Sequence, residues 1–213
     1  MTSGSILIGR PTLADTVFSR HLVTDAVLVL AGTALTVLLT QLVIPMWPVP
    51  VTGQTLAALL VGVTLGMARA ALALGLYLAL GLAGLPIFAG GASGSLLDLP
   101  SGGHLIGLVF AAAVVGWLAQ RRWDRRWGRL VLTVVAGTAV VYAFGLPWLY
   151  VSLARLGPAV WNVELGFDSV LAATIGTGLL PFLIGDAVKA LLAVLLISAA
   201  WRLVRTLSEE TPG

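Results

Sequence analysis

The chain has 213 residues, 59% of them hydrophobic and only 10% charged, against roughly a quarter charged in a soluble domain. That balance excludes an ordinary soluble fold and points to a membrane protein. Twelve basic against nine acidic residues give a net charge of +3. Ten of the twelve basic residues sit at the ends of apolar runs or in short connectors, and they form no aromatic-interleaved basic face, which excludes nucleic acid as a partner. With no cysteine, disulfides and thiolate metal sites are excluded too.

Residues 1–22 are polar and mixed and lack the long apolar core of a cleaved signal peptide, so they read as a cytoplasmic tail. A spanning helix needs about 20 mostly apolar residues. Val23 to Ile44 meets that and is stopped by Pro45, Trp47, Pro48 and Pro50. Gln54 to Met67 and Ala70 to Leu85 are second and third apolar segments, separated by Arg69. From Pro86 to Gly103 the chain turns rich in Gly and Ser, too irregular to face lipid unless folded over protein or lining a cavity. His104 to Ala119 is a fourth segment, ending at the string RRWDRRWGR, and Leu130 to Leu153 a fifth. A looser stretch with Arg155, Glu164 and Asp168 precedes the sixth, from about Pro181 to Leu203.

The expectation is an all-α integral membrane bundle of six transmembrane helices over residues 23–205, with 206–213 as a C-terminal tail. Both termini are expected to be cytoplasmic. One side then holds Arg10, Arg20, Arg69, Arg121, Arg122, Arg125, Arg126, Arg129, Arg202 and Arg205, and the other keeps Arg155 with Asp98, Glu164 and Asp168. Trp123, Trp127 and Trp201 are expected at the inner interface. Gly32, Thr36 and Thr40 recur every four residues on the first helix, a spacing that lets backbones approach, for internal packing or for docking to another membrane protein.

Chemistry is suggested at three places. Asp186 and Lys189, in PFLIGDAVKALLAVLL, lie three apart inside an apolar run and share one helix face. A charge at membrane depth costs at least about 2.5–3.5 kcal/mol, so such residues face a cavity or each other. Lys189 is also the chain's only lysine. The second place is the loop GLPIFAGGASGSLLDLPSGGHL, where closely spaced glycines can bring backbone N–H groups to a ligand. It contains Gly91-Ala92-Ser93-Gly94, the G-x-S-G pattern of intramembrane serine proteases, for which His104 and His21 are the only imidazole bases. The third is PVPVTGQT, whose prolines stiffen the turn that carries Thr52 and Gln54. No phosphate-binding G-x-x-x-x-G-K-[ST] string and no metal-ligand spacing occurs, so neither ATP nor a metal cofactor is expected in this chain.

The strings PVPVTGQTLAALLVG, LGLAGLPIFAGG, SGGHLIG and PFLIGDAVKALLA, in this order, resemble the BioY family, the biotin-specific substrate-binding (S) components of energy-coupling-factor (ECF) transporters. The resemblance covers roughly Ile44 to Leu196. It implies a non-enzymatic, multi-pass cell-membrane protein that captures biotin at the outer face. Its partners would be a transmembrane coupling protein and two ATPase subunits that move the vitamin inward. It also implies that Asp186 and Lys189 contact biotin, beneath loops carrying Thr52, Gln54, Phe88, Gly90, Gly91, Ser93, Gly94 and His104. The chain departs from the family pattern at Leu99-Pro100-Ser101, at His104, where tyrosine is common, and in the small-residue face around Ala31 and Ala34. A relative binding thiamin or riboflavin, and an intramembrane hydrolase using Ser93, are the alternatives.

Overall fold

The computed structural model describes residues 11–210, with side chains through Leu207. Arg10 and the tail residues 1–10 and 211–213 lie outside the described residues. Each of the six apolar segments is helical: α2 (Leu22–Thr40), α3 (Gln54–Leu65), α4 (Met67–Leu82), α5 (Gly102–Gln120), α6 (Trp127–Leu156) and α8 (Phe182–Glu210). Among the described residues there are also two short α-helices, α1 (Leu13–Val17) and α7 (Val170–Gly178). Among the described residues, four stretches are long and apolar enough to cross a bilayer: α2, α5, α6, and Val170–Leu207, which joins α7 and α8. Helices α3 and α4 are apolar but shorter.

The boundaries follow local chemistry. Helix α2 stops at Thr40, four residues before the expected end, because Val43–Ile44 (β1) pairs antiparallel with Val51–Thr52 (β2). Both Val43 and Ile44 are β-branched, and Pro45 pushes the residue before it out of helical geometry. Gly66, at φ +81°, ends α3 and opens α4, a left-handed backbone that glycine enters without strain. The loose stretch after α6 is a π-helical turn, Ala159–Glu164, followed by α7, whose N-terminus is capped by the Ser169 side chain. The expected C-terminal tail begins inside α8, and part of the expected N-terminal tail is the docked helix α1.

Close approach of small residues holds the bundle. On α2, Gly32 packs on Ala73 and Leu65, and Thr33 donates to the Ala73 carbonyl at 3.0 Å. The four-residue spacing of Gly32, Thr36 and Thr40 therefore serves internal packing. A Cβ at Gly103 would stand 2.2 Å from Trp148, so α5 and α6 nearly touch there. At Gly116 a Cβ would lie 2.5 Å from the Gly66 carbonyl carbon and the Met67 nitrogen. Backbone cannot swing aside as a side chain does, so Gly116→Ala is expected to destabilise the purified protein by about 1–3 kcal/mol. Gly75→Ala, with nothing within 4 Å of the new methyl, is the control expected to leave the melting temperature unchanged.

The two ends of the bundle differ. The turn before β2 and the starts of α3, α5 and α8 surround a cavity. At the far end, Gly66 meets Thr12 and Gln120, and two buried charge clusters close the structure. Arg69, 1% exposed, donates through Nη1 to Asp15 at 3.0 Å and through Nε to Asp25 at 2.8 Å; Nη2 also bonds Asp25. Arg20 reaches the other Asp15 oxygen at 3.2 Å. Burial raises the Asp15 carboxyl, but hydrogen bonds from Thr12 and the Arg69 and Arg20 guanidiniums outweigh it and hold the group below its ordinary value. Arg69, expected on the cytoplasmic side, is buried in this cluster and locks α1, α2 and α4 together. Trp201, expected in the interfacial belt, is also buried; its indole N–H donates to Asp124 at 2.8 Å, with Arg125 over its ring.

Candidate functional site

A cavity of about 260 Å³ opens where the β1–β2 turn, the start of α3, the loop after α4, α5, α6 and α8 converge. Its walls are mostly apolar and aromatic, with a few placed polar groups, the make-up of a small-molecule site. One polar cluster centres on Asp186. Lys189 Nζ donates to Asp186 Oδ1 at 2.8 Å, and the Tyr142 hydroxyl donates to Oδ2. The two charged side chains are only 12% and 11% exposed. The i, i+3 spacing places them as a neighbouring pair on α8, as expected, and α6 supplies the tyrosine.

His104 completes this cluster from the first turn of α5. Its ring stacks on Phe182 with centroids 6.5 Å apart and meets Tyr142 edge-on at 6.4 Å. Gly145 leaves the space the imidazole occupies, since a Cβ there would come within 2.4 Å of the ring. Both ring nitrogens are buried without a hydrogen-bond partner. Leaving a buried donor or acceptor unsatisfied costs about 1–3 kcal/mol, so a ligand that reaches either nitrogen gains by it. The same fact removes the hydrogen-bonded Ser93–His104 pair that a hydrolase needs. Ser93 is exposed and outside the cavity lining.

Thr52 and Gln54 bring further polar groups to the lining, and hydrogen bonds continue from them to Tyr77 and Thr40. Thr52 Oγ1 donates to Gln54 Oε1 at 2.9 Å, and Gln54 Nε2 donates to the Tyr77 hydroxyl at 2.7 Å. Thr40 Oγ1 lies 3.2 Å from the same hydroxyl. Tyr77 also supports Phe88 edge-to-face, with centroids 5.5 Å apart, and Phe88 packs onto Gly81, where a Cβ would strike its ring at 2.2 Å. Phe88 is thereby held as part of the cavity wall.

Thr52, Gln54, Phe88, His104, Asp186 and Lys189 therefore share one cavity. Gly90, Gly91, Ser93 and Gly94 sit beside it in the loop between α4 and α5, outside the lining. Gly90, Gly91 and Gly94 have positive φ, and the Gly94 N–H donates to the Gly81 carbonyl at 2.8 Å, which folds the loop back on α4. Tyr142 and Trp47 are among the lining residues that sequence reasoning passed over as ligand contacts. A tyrosine or tryptophan in an apolar segment carries no local signal that separates a ligand wall from packing.

The BioY family model matches residues 11–206. The chain belongs to the BioY family. Among its relatives, the biotin transporter BioY of Rhizobium etli is 34% identical over 157 residues, covering 70% of this chain and 76% of that protein. The biotin transporter BioY of Thermotoga maritima is 33% identical over 165 residues, covering 77% and 88%. The fold matches the crystal structure of the S-component for biotin from an ECF-type ABC transporter, with a TM-score of 0.67 and 28% identity over 84% of this chain and 92% of that one. With its long apolar helices, this BioY family member is a multi-pass cell-membrane protein.

Proposed function

We propose that this BioY family member is the biotin-capturing component of an ECF-type uptake transporter. It would bind the vitamin at the outer face and catalyse no reaction of its own. The observation that carries the reading is the buried Asp186–Lys189 pair on the wall of an otherwise apolar cavity, in a chain whose relatives are named as biotin transporters. Biotin has a ureido ring with two N–H donors and a carbonyl, an apolar bicycle, and a carboxylate tail. Asp186 accepts ureido N–H bonds, Lys189 donates to the carbonyl or the carboxylate, and His104 offers one donor and one acceptor. Thr52, Gln54 and Phe88 line the same cavity. The loop of Gly90, Gly91, Ser93 and Gly94 closes over the ligand.

Inward delivery then needs a transmembrane coupling protein and two ATPase subunits. The topology proposed is six spans with both ends cytoplasmic. It is supported by the exposed arginines at the far end of the bundle, among them Arg121, Arg122, Arg126, Arg129, Arg202 and Arg205. That arrangement puts the cavity on the outer side.

The test is thermal stabilisation of the purified protein. Biotin at a hundredfold excess over Kd is expected to stabilise it by about 2.7 kcal/mol, while thiamin and riboflavin do nothing. Stabilisation by either of those and not by biotin would transfer the site to another vitamin.

A further inference from the structure

A second concavity, of about 340 Å³, runs along the outside of α6 and takes no part in the site above. Ala143, Pro147, Val151 and Arg155 fall every four residues along it, and Leu97, from the turn Leu96–Asp98 in the loop between α4 and α5, also lines it. The strip from Ala143 to Arg155 rises roughly 18 Å along the helix, close to the half-thickness, roughly 15 Å, of a bilayer's hydrocarbon core. Apart from Ser152, the Trp148 indole and Arg155, its lining is apolar, and it is open to the side: Leu97 is 70% exposed, and Phe144 and Val151 are also exposed. The one charged group in the lining is Arg155, at its end. Arg155 is also the only basic residue between Arg129 and Lys189.

The groove's floor is itself shaped by sequence. Pro147, inside α6, lines it at mid-groove and has no N–H to give the Ala143 carbonyl. The neighbouring Trp148 indole donates to the Leu99 carbonyl at 3.1 Å, fixing the loop that forms the rim.

We infer that this groove holds one anionic glycerophospholipid of the leaflet on the cavity side, with its phosphate on Arg155 and one acyl chain along the Ala143–Val151 strip. A lone cation at the end of an apolar channel one leaflet deep complements that molecule in both charge and length. A bare phosphate lacks the chain, and a polar peptide would leave its backbone unsatisfied against the apolar wall. The site is independent of biotin.

The test is native mass spectrometry of the delipidated full-length protein, titrated with dioleoylphosphatidylglycerol, dioleoylphosphatidylcholine and glycerol 3-phosphate. One phosphatidylglycerol per chain is expected to stay bound, ahead of phosphatidylcholine, and glycerol 3-phosphate is expected not to bind. Arg155→Gln is expected to weaken phosphatidylglycerol retention about fivefold, the effect of one basic residue near a lipid surface, at an unchanged melting temperature. Ala143→Phe, which fills the strip, is expected to lower retention of both lipids. Retention by both variants equal to that of the unaltered protein would overturn the inference, and so would binding of glycerol 3-phosphate as tight as that of the lipid.

Discussion

Lys189→Met is expected to weaken biotin binding at least about thirtyfold, and Asp186→Asn to do the same. Truncating the protein side of a buried, charge-assisted contact with a ligand costs roughly 2–5 kcal/mol of binding, and the low end of that range is thirtyfold. The two variants fail for different reasons. In Lys189→Met, Asp186 keeps its bond from Tyr142 but loses its counter-charge, so a negatively charged pocket faces an anionic ligand. In Asp186→Asn the shape survives and Tyr142 retains an acceptor, but a carboxylate that takes N–H bonds is gone. Titration calorimetry with biotin and biotin methyl ester separates the roles. If Lys189 holds the carboxylate, Lys189→Met weakens biotin far more than the ester. If it holds the ureido carbonyl, both weaken alike. Wild-type affinity in both variants would remove Asp186 and Lys189 from the site.

The second large effect lies at the other end of the bundle. Arg69→Met is expected to destabilise the protein by about 3–5 kcal/mol, because Asp15 and Asp25 are left as buried carboxylates without their shared partner. The triple variant Arg69→Met, Asp15→Asn, Asp25→Asn is expected to recover most of that loss, since an uncharged cluster needs no counter-ion. Acid sharpens the test. The Asp15 pKa is lowered in the folded protein, so its contribution is complete above the unfolded value near 3.8 and is lost as pH falls through the folded one. Thermal melts are therefore expected to show the native protein losing stability at low pH more steeply than the triple variant. A loss from Arg69→Met no larger than about 1 kcal/mol, the range of a surface pair, would show that the cluster is not structural.

The membrane character and the Asp186–Lys189 pair are legible in the sequence for one reason: a charge inside an apolar run is anomalous wherever it occurs. The Asp15–Asp25–Arg69 cluster is not, although its burial is deeper. Asp15 lies in the polar N-terminal stretch, Asp25 in the first turn of the first apolar run and Arg69 between two runs, all places where unburied topology charges also stand, and the contact spans 54 residues between Asp15 and Arg69. Tyr142 escapes notice because its hydroxyl finds Asp186 only through the α6–α8 packing. The end of α2 is misread by four residues because Leu42, Val43 and Ile44 keep the run apolar while the backbone changes to a hairpin. The region after α6 looks loose because Gly157, Pro158 and Gly166 interrupt it, yet Ser169 still caps a helix there.

The closed Asp186–Lys189 pair has an electrical consequence. An aspartate and a lysine together carry no net charge, so an empty site moving through the membrane takes up nothing from the voltage across it. Biotin brings a carboxylate, and the loaded site then carries one negative charge toward a negative interior. Against 100 mV that charge opposes inward movement by about 2.3 kcal/mol. On the proposed function, the membrane potential favours return of the empty binder over delivery of the full one, and the energy that sets the direction has to come from the ATPase partners.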